Sequence, residues 1–276
     1  MNTNNRARNT GAWYVVHGAL VLALAAGSAT AQTLEKRVAA APDGSVRFSF
    51  AAQPGVYGDG RNSISWGCKN GDCRHRQTND WKQYRDEWSE PCDSGPVRVA
   101  LTKSGGRITN LRVYVGGEWR PSTTATDLGM VGTKDATSYL LGLAARDDSR
   151  VGEKAIFPAV LADSVTIWPD LLKIAKDAEI SRKVRRSAVF WLGQAAGDAA
   201  TKGLTDLVDD GNQDREVREA AVFALSQRPH DERVPVLIRI AKENKDPELR
   251  RKAIFWLGQS EDPRALSLFE ELLTKP

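Results

Sequence analysis

Apolar residues recur with helical spacing through the second half of the chain, and the pattern itself repeats. Val184 opens VRRSAVFWLGQ, Val217 opens VREAAVFALSQ, Leu249 opens LRRKAIFWLGQ, and Val151 opens a degraded copy, VGEKAIFPAVL. The opening residues lie 32 or 33 positions apart. Self-similarity at such a period marks a repeat architecture, in which each unit buries its apolar face only against its neighbours. At about 100° per residue, Val184, Ser187, Ala188, Trp191 and Leu192 share one stripe. The aligned alanines Ala155, Ala188, Ala221 and Ala253 are small where two helices must approach closely. Asp148, Ser181, Asp214 and Asp246 stand three positions before the opening residues, where N-caps belong, and Pro247 follows the last of them.

Second amphipathic stretches lie between these motifs, at 171–175, 204–208, 236–241 and 266–273. Asp198, Asp231 and Asp262 mark their starts, and a further apolar stretch at 139–144 precedes the first motif. Residues 134–276 therefore read as helices alternating in pairs and ending on an unpaired first helix. Its Glu270, Glu271 and Lys275 suit the polar cap that such arrays require.

From Gln32 to about Met130 the period changes to two. Val46, Phe48 and Phe50 alternate with polar residues, as do Val97, Val99 and Leu101. Ser104-Gly105-Gly106 then turns the chain into Leu111, Val113 and Val115, which predicts a hairpin. Residues 32–130 thus form a small strand-rich module, with its hairpin expected near the first helices.

The Asp-x-x-Val-Arg opening, followed by alanine and a Trp/Ala-Leu pair, resembles the second helix of HEAT repeats. The short period is similar to the compact bacterial form, the phycobilisome-lyase-type HEAT. The whole arrangement looks like a group of uncharacterised exported bacterial proteins in which a strand-rich module precedes HEAT repeats. The resemblance implies an α-solenoid of HEAT-like helix pairs preceded by a small β-rich module. It also implies a ladder in which capping aspartates bond to arginines of neighbouring repeats, carried here by Asp214, Asp246, Arg185, Arg218 and Arg250. Ser181 replaces one aspartate and Gly152 one arginine, so the ladder is expected to break at the first repeat and weaken at the second.

Residues 1–31 read as a signal peptide: Arg6 and Arg8, an apolar run from Ala19 to Ala26, then Ala29-Thr30-Ala31 as a cleavage site. That run is shorter than the roughly 20 residues of a membrane span. The mature protein is expected to be periplasmic or secreted, without membrane insertion. Removing the two leader arginines lowers the net charge from +4 to +2, and the remaining charges are mixed in sign, which argues against nucleic acid as partner. Cys68, Cys73 and Cys92 all fall in the strand-rich module, so one disulfide among them is expected in an oxidising compartment. Zinc held by these cysteines and His75 is the sharper alternative, but the spacing is loose. Gly55 to Gly60, GVYGDG, lacks the following helix of a phosphate loop and reads as turn glycines; Asp59 and Asn62 supply too few oxygens for calcium.

No catalytic or cofactor motif is present: the histidines are His17, His75 and His230, and neither Gly-x-Ser-x-Gly nor His-Glu-x-x-His occurs. The expected function is an exported, non-enzymatic scaffold that binds a protein partner in the cell envelope. Its candidate contacts are a charged row, Arg186, Glu219 and Arg251, and an aromatic stripe, Phe190, Phe223 and Phe255, preceded by Phe157. The phenylalanines are expected to pack between repeats and the charged row to meet the partner. Two rivals stand beside this reading: a HEAT-type lyase or chaperone-like enzyme, and a carbohydrate-binding module using Trp66, Trp81 and Trp88.

Overall fold

Nine consecutive helices follow a small sheet and one short helix among the described residues of the computed structural model. The structure describes residues 32–61, 64–65, 93–147, 149–195 and 198–274. The leader, Asn62, the three tryptophans Trp66, Trp81 and Trp88, the three cysteines, His75 and Asp148 lie outside the described residues. Residues from Thr33 onward form one compact unit.

The strands are β1 (Gly44–Phe50), β2 (Tyr57–Gly58), β3 (Ile64–Ser65), β4 (Val97–Ser104), β5 (Arg107–Val115) and β6 (Ala125–Met130). The four long ones form a sheet in the order β5-β4-β1-β6. The hairpin β4–β5 is the one that the alternation predicts. Gly105 and Gly106 close it at φ 58° and 74°, the left-handed pair that a tight two-residue turn requires. Phe48 faces Val99, Val46 faces Leu101 and Leu101 faces Leu111, so one sheet face is apolar up to Lys103 near the end of β4. β6 joins β1 in parallel, and none of its residues is fully buried.

A helix departs from the expected period of two. Leu34–Ala40 forms α1, burying Leu34 and Val38. Seven residues are too few to hold a helix alone, and tertiary groups fix both of its ends. Asp135 accepts a hydrogen bond from the Leu34 amide at 2.8 Å. Lys103, buried on the inner face of β4, donates to the carbonyls of Ala39 and Ala41, each at 2.6 Å. A cation there also complements the negative end of the helix dipole.

The helices are α2 (Thr133–Arg146), α3 (Arg150–Val160), α4 (Trp168–Lys176), α5 (Arg182–Gln194), α6 (Asp198–Asp209), α7 (Arg215–Ser226), α8 (His230–Glu243), α9 (Pro247–Gly258) and α10 (Pro263–Thr274). The pairs are α2/α3, α4/α5, α6/α7 and α8/α9, with α10 unpaired. Each second helix also packs on the next one, α3 on α5, α5 on α7 and α7 on α9, and first helices follow the same rule. Ser181, Asp214 and Asp246 occupy the predicted N-cap positions. At α3 the cap is Ser149, whose hydroxyl accepts from the Val151 amide at 3.1 Å, one residue later than predicted. Asp231 lies inside the first turn of α8, and Pro229 takes its cap position.

The inner face of the sheet packs on the first helix pair. Phe48 meets the ring of Tyr139 edge-on at 6.1 Å, and burial pushes the Tyr139 phenol up to about 12. Backbone bonds stitch the same junction: Gln53 donates to Leu161 at 2.8 Å, and Asp163 donates to Ala51 at 3.0 Å.

Candidate functional site

The second helices carry the candidate surface, and their buried arc is broader than one stripe. In α5 it comprises Val184, Arg185, Ala188, Val189, Leu192 and Gly193, while Ser187 and Trp191 are only half-buried. The cause is geometry: α5 faces its partner α4 and also the second helices on either side, so a third row of residues is covered. Trp191, predicted as core, is thereby moved to the edge.

At that edge the aromatic stripe resolves into two clusters. Trp191 stacks on Phe157 of the preceding repeat at 5.3 Å and meets Phe190 edge-on at 5.0 Å. Trp256 contacts Phe223 of the preceding repeat at 5.2 Å and Phe255 at 5.0 Å. Each repeat's phenylalanine thus waits for the residue that follows the phenylalanine in the next copy. Where that residue is tryptophan the ring is covered, as expected for Phe157 and Phe223. At Phe190 the next copy offers Ala224, and after Phe255 the described chain offers no further copy. These two rings are 41% and 58% exposed. Ala224 is small for a reason: a Cβ on Gly193 would lie 2.8 Å from its Cβ, so α5 and α7 touch too closely there for an indole.

The charged row is less uniform than its spacing implies. Arg186 is exposed. Glu219 reaches across to Lys252 of the next repeat at 3.2 Å and is a seam residue as much as a surface one. Arg251 pairs with Glu248 one turn earlier in α9.

The ladder implied by the resemblance is present in part. Arg185 bonds to Asp214, and Arg218 lies 3.5 Å from Asp246. Arg182 and Arg215 add outer contacts to the same two carboxylates. Arg250 instead donates to the Asn244 carbonyl at 2.7 Å, closing the end of α8. Among the described residues the rung between Gly152 and Ser181 is missing, as those two replacements imply, while the second repeat keeps its other rung through Arg185 and Asp214. Gly152 is obligatory in its own right, since a Cβ there would lie 1.9 Å from the Asp147 carbonyl oxygen.

One polar group escaped the sequence reading, and a predicted one has a further role. Arg228, 4% exposed, donates to the Gly193 carbonyl at 3.3 Å, to the Ala195 carbonyl, to Thr201 Oγ1 at 2.8 Å and to Glu232 at 3.1 Å. It has no counterpart in the other copies, so periodicity gives no hint of it. Asp262, before α10, accepts from Arg264 and sits 3.3 Å from His230. The Arg264 hydrogen bonds hold its carboxyl down at about 2. Because the folded value lies below the unfolded value of about 3.9, Asp262 stabilises the fold above that range and loses its contribution as pH falls towards 2. Thermal melts of wild type and Asp262→Asn should therefore differ at pH 6 and converge by pH 2; a constant difference would contradict this.

Residues 211–276, spanning α7 to α10, match the family of HEAT repeats. That stretch of the chain carries HEAT repeats, and helix pairing of the same kind is present in the helices before it. A search of curated proteins finds no match. Among the described residues, no helix is long and apolar enough to cross a membrane.

Proposed function

We propose that the protein is an exported, non-enzymatic scaffold whose stacked helix pairs form a solenoid and bind a protein partner through the outer edge of the second helices. The observation that carries this reading is the aromatic edge: Phe190 and Phe255 stand exposed beside anchored tryptophans on a rigid repeat. A few residues, aromatic side chains and arginine above all, dominate the energetics of protein interfaces. Arg186 and Arg251 flank these rings and supply charge selection. HEAT repeats are in general protein-interaction units, which supports the same reading.

The test separates anchor from seam. Phe223→Ala, which uncovers Trp256, is expected to cost about 2 kcal/mol of stability, below the 3–5 kcal/mol of a fully buried ring. The double variant Phe190→Ala/Phe255→Ala is expected to keep its melting temperature and to lose at least tenfold in affinity for a partner isolated from envelope extract on the wild-type protein. Unchanged affinity in the double variant would move the interface elsewhere. A chromophore band in the absorbance spectrum of the purified protein would favour the lyase reading instead.

A further inference from the structure

The last second helix, α9, presents a row of side chains that its predecessors bury. In α5 and α7 this row meets the next second helix: Val189 and Val222 are fully enclosed, and Gly193 and Ser226 are buried further along. In α9 the matching residues are Ile254, which is half-buried, and Gly258, which is exposed. Phe255 beside them is exposed, whereas Phe157 and Phe223 lie under the tryptophan of the following second helix. A Cβ on Gly258 would meet only the Phe269 ring, at an ordinary 4.0 Å, so space lies open where Gly193 touches Ala224.

The same row starts with the ladder arginine. Arg218 of α7 makes two contacts at once: Nε donates to the Val208 carbonyl at 3.0 Å, and Nη1 lies 3.5 Å from Asp246, the N-cap of α9. Arg250 makes only the first kind, from Nη1 to the carbonyls of Asn244 at 2.7 Å and Lys245 at 3.2 Å. Among the described residues it has no carboxylate partner. α10 is likewise a first helix without a second. Its Leu268 is buried, while Leu272, one turn on along the same face, is 43% exposed. α9 itself packs on α8 of its own pair and on α7 before it. The equivalent walls for one more helix are α10 and α9.

We propose that α9 and α10 form a docking slot for one amphipathic helix of a partner protein, a helix that begins on an aspartate cap and carries an aromatic ring towards Phe255. The occupant's chemistry follows from what fills the equivalent slot inside the chain, where α9 brings Asp246 to Arg218 and Trp256 to Phe223. A carboxylate at the start of the docked helix meets Arg250 through a charge-assisted bond, and its ring covers Phe255. A small residue is required opposite Gly258, as Ala224 is opposite Gly193. This is recognition of a helix in a groove. It shares only Phe255 with the interface proposed above and does not use Phe190.

The probe is a labelled synthetic peptide copying residues 244–260, the segment that fills the equivalent slot, held helical by a staple on its outward face and added to the whole protein. Its fluorescence anisotropy is expected to rise and saturate. Asp246→Ala or Trp256→Ala in the peptide is expected to weaken binding at least fivefold. Arg250→Gln in the protein is expected to remove the effect of the peptide's Asp246→Ala, a coupling read as a double-mutant cycle. Gly258→Gln obstructs the slot from an exposed helical position, so it is expected to keep or raise the melting temperature and to lose at least tenfold in affinity. Phe190→Ala is expected to bind the peptide like wild type, which separates this site from the outer edge. Absence of saturation, additive effects of Arg250→Gln and the peptide's Asp246→Ala, or undiminished binding by Gly258→Gln would each overturn the proposal. Loss of binding in Phe190→Ala would overturn it in favour of the outer edge. Dimerisation of the protein alone, abolished by Gly258→Gln, would overturn it in favour of a second copy.

Discussion

Replacing Arg228 by methionine is expected to destabilise the protein by about 3 kcal/mol, the low end of the range for breaking a buried ion pair. The side chain is 4% exposed and its donors serve the end of α5, Thr201 of α6 and Glu232 of α8. Methionine fills most of the volume but leaves the Gly193 and Ala195 carbonyls without this donor and takes the cation from the Glu232 carboxylate, which keeps its bond from the Thr201 hydroxyl. Glu232 keeps some contact with solvent, which is why the upper end of the range is not expected. Urea denaturation would show the loss as a lower midpoint with an unchanged slope. The double variant Arg228→Met/Glu232→Gln should recover part of it, because the stranded charge is then gone. A loss below 1 kcal/mol in the single variant would mean that water replaces the guanidinium at this junction.

The second large effect is expected at Gly152, where ordinary helix arithmetic points the wrong way. Alanine inside a helix is favoured over glycine by about 1 kcal/mol. Here the added Cβ would meet the Asp147 carbonyl oxygen at 1.9 Å and the Ala144 carbonyl oxygen at 3.2 Å, both backbone atoms. Neither is the tip of a flexible side chain, so the link between α2 and α3 must shift. Gly152→Ala is expected to lower stability by about 3 kcal/mol, at the upper end for overpacking, and Gly152→Arg by at least as much. Stabilisation of either variant, measured by thermal melts, would refute the close approach. The same contact explains why this copy departs from the arginine found in the other three.

What could be read from the sequence follows physical range. The helix pairs were legible because each copy restates its own cap, apolar stripe and spacing, and local information suffices to place them. The β4–β5 hairpin was legible for the same reason. β6 was not: its ATDLGM is joined to β1 through backbone bonds and shows no apolar alternation. Nor was α1, whose ends are fixed by Asp135 and Lys103, residues roughly 100 and 60 positions away.

The candidate surface was half legible. The recurrence of phenylalanine was plain, but whether each ring is covered depends on the residue one place further on in the next copy. The alternation is written in the sequence, where Trp191, Ala224 and Trp256 stand as the partners of Phe157, Phe190 and Phe223. Arg228 occurs once, outside the period, and offered no such signal.

The absent rung between Gly152 and Ser181 bears on how this chain responds to load. The first helix pair is bound to the sheet by backbone hydrogen bonds, Gln53 to Leu161 and Asp163 to Ala51. Later pairs are clipped to one another by Arg185 with Asp214 and Arg218 with Asp246. Between the two regimes lies a seam that has the Phe157–Trp191 stack and, among the described residues, no arginine–aspartate clip. Tension along the molecule would open this seam first, parting it into a sheet carrying one helix pair and a row of the remaining helices, each still folded.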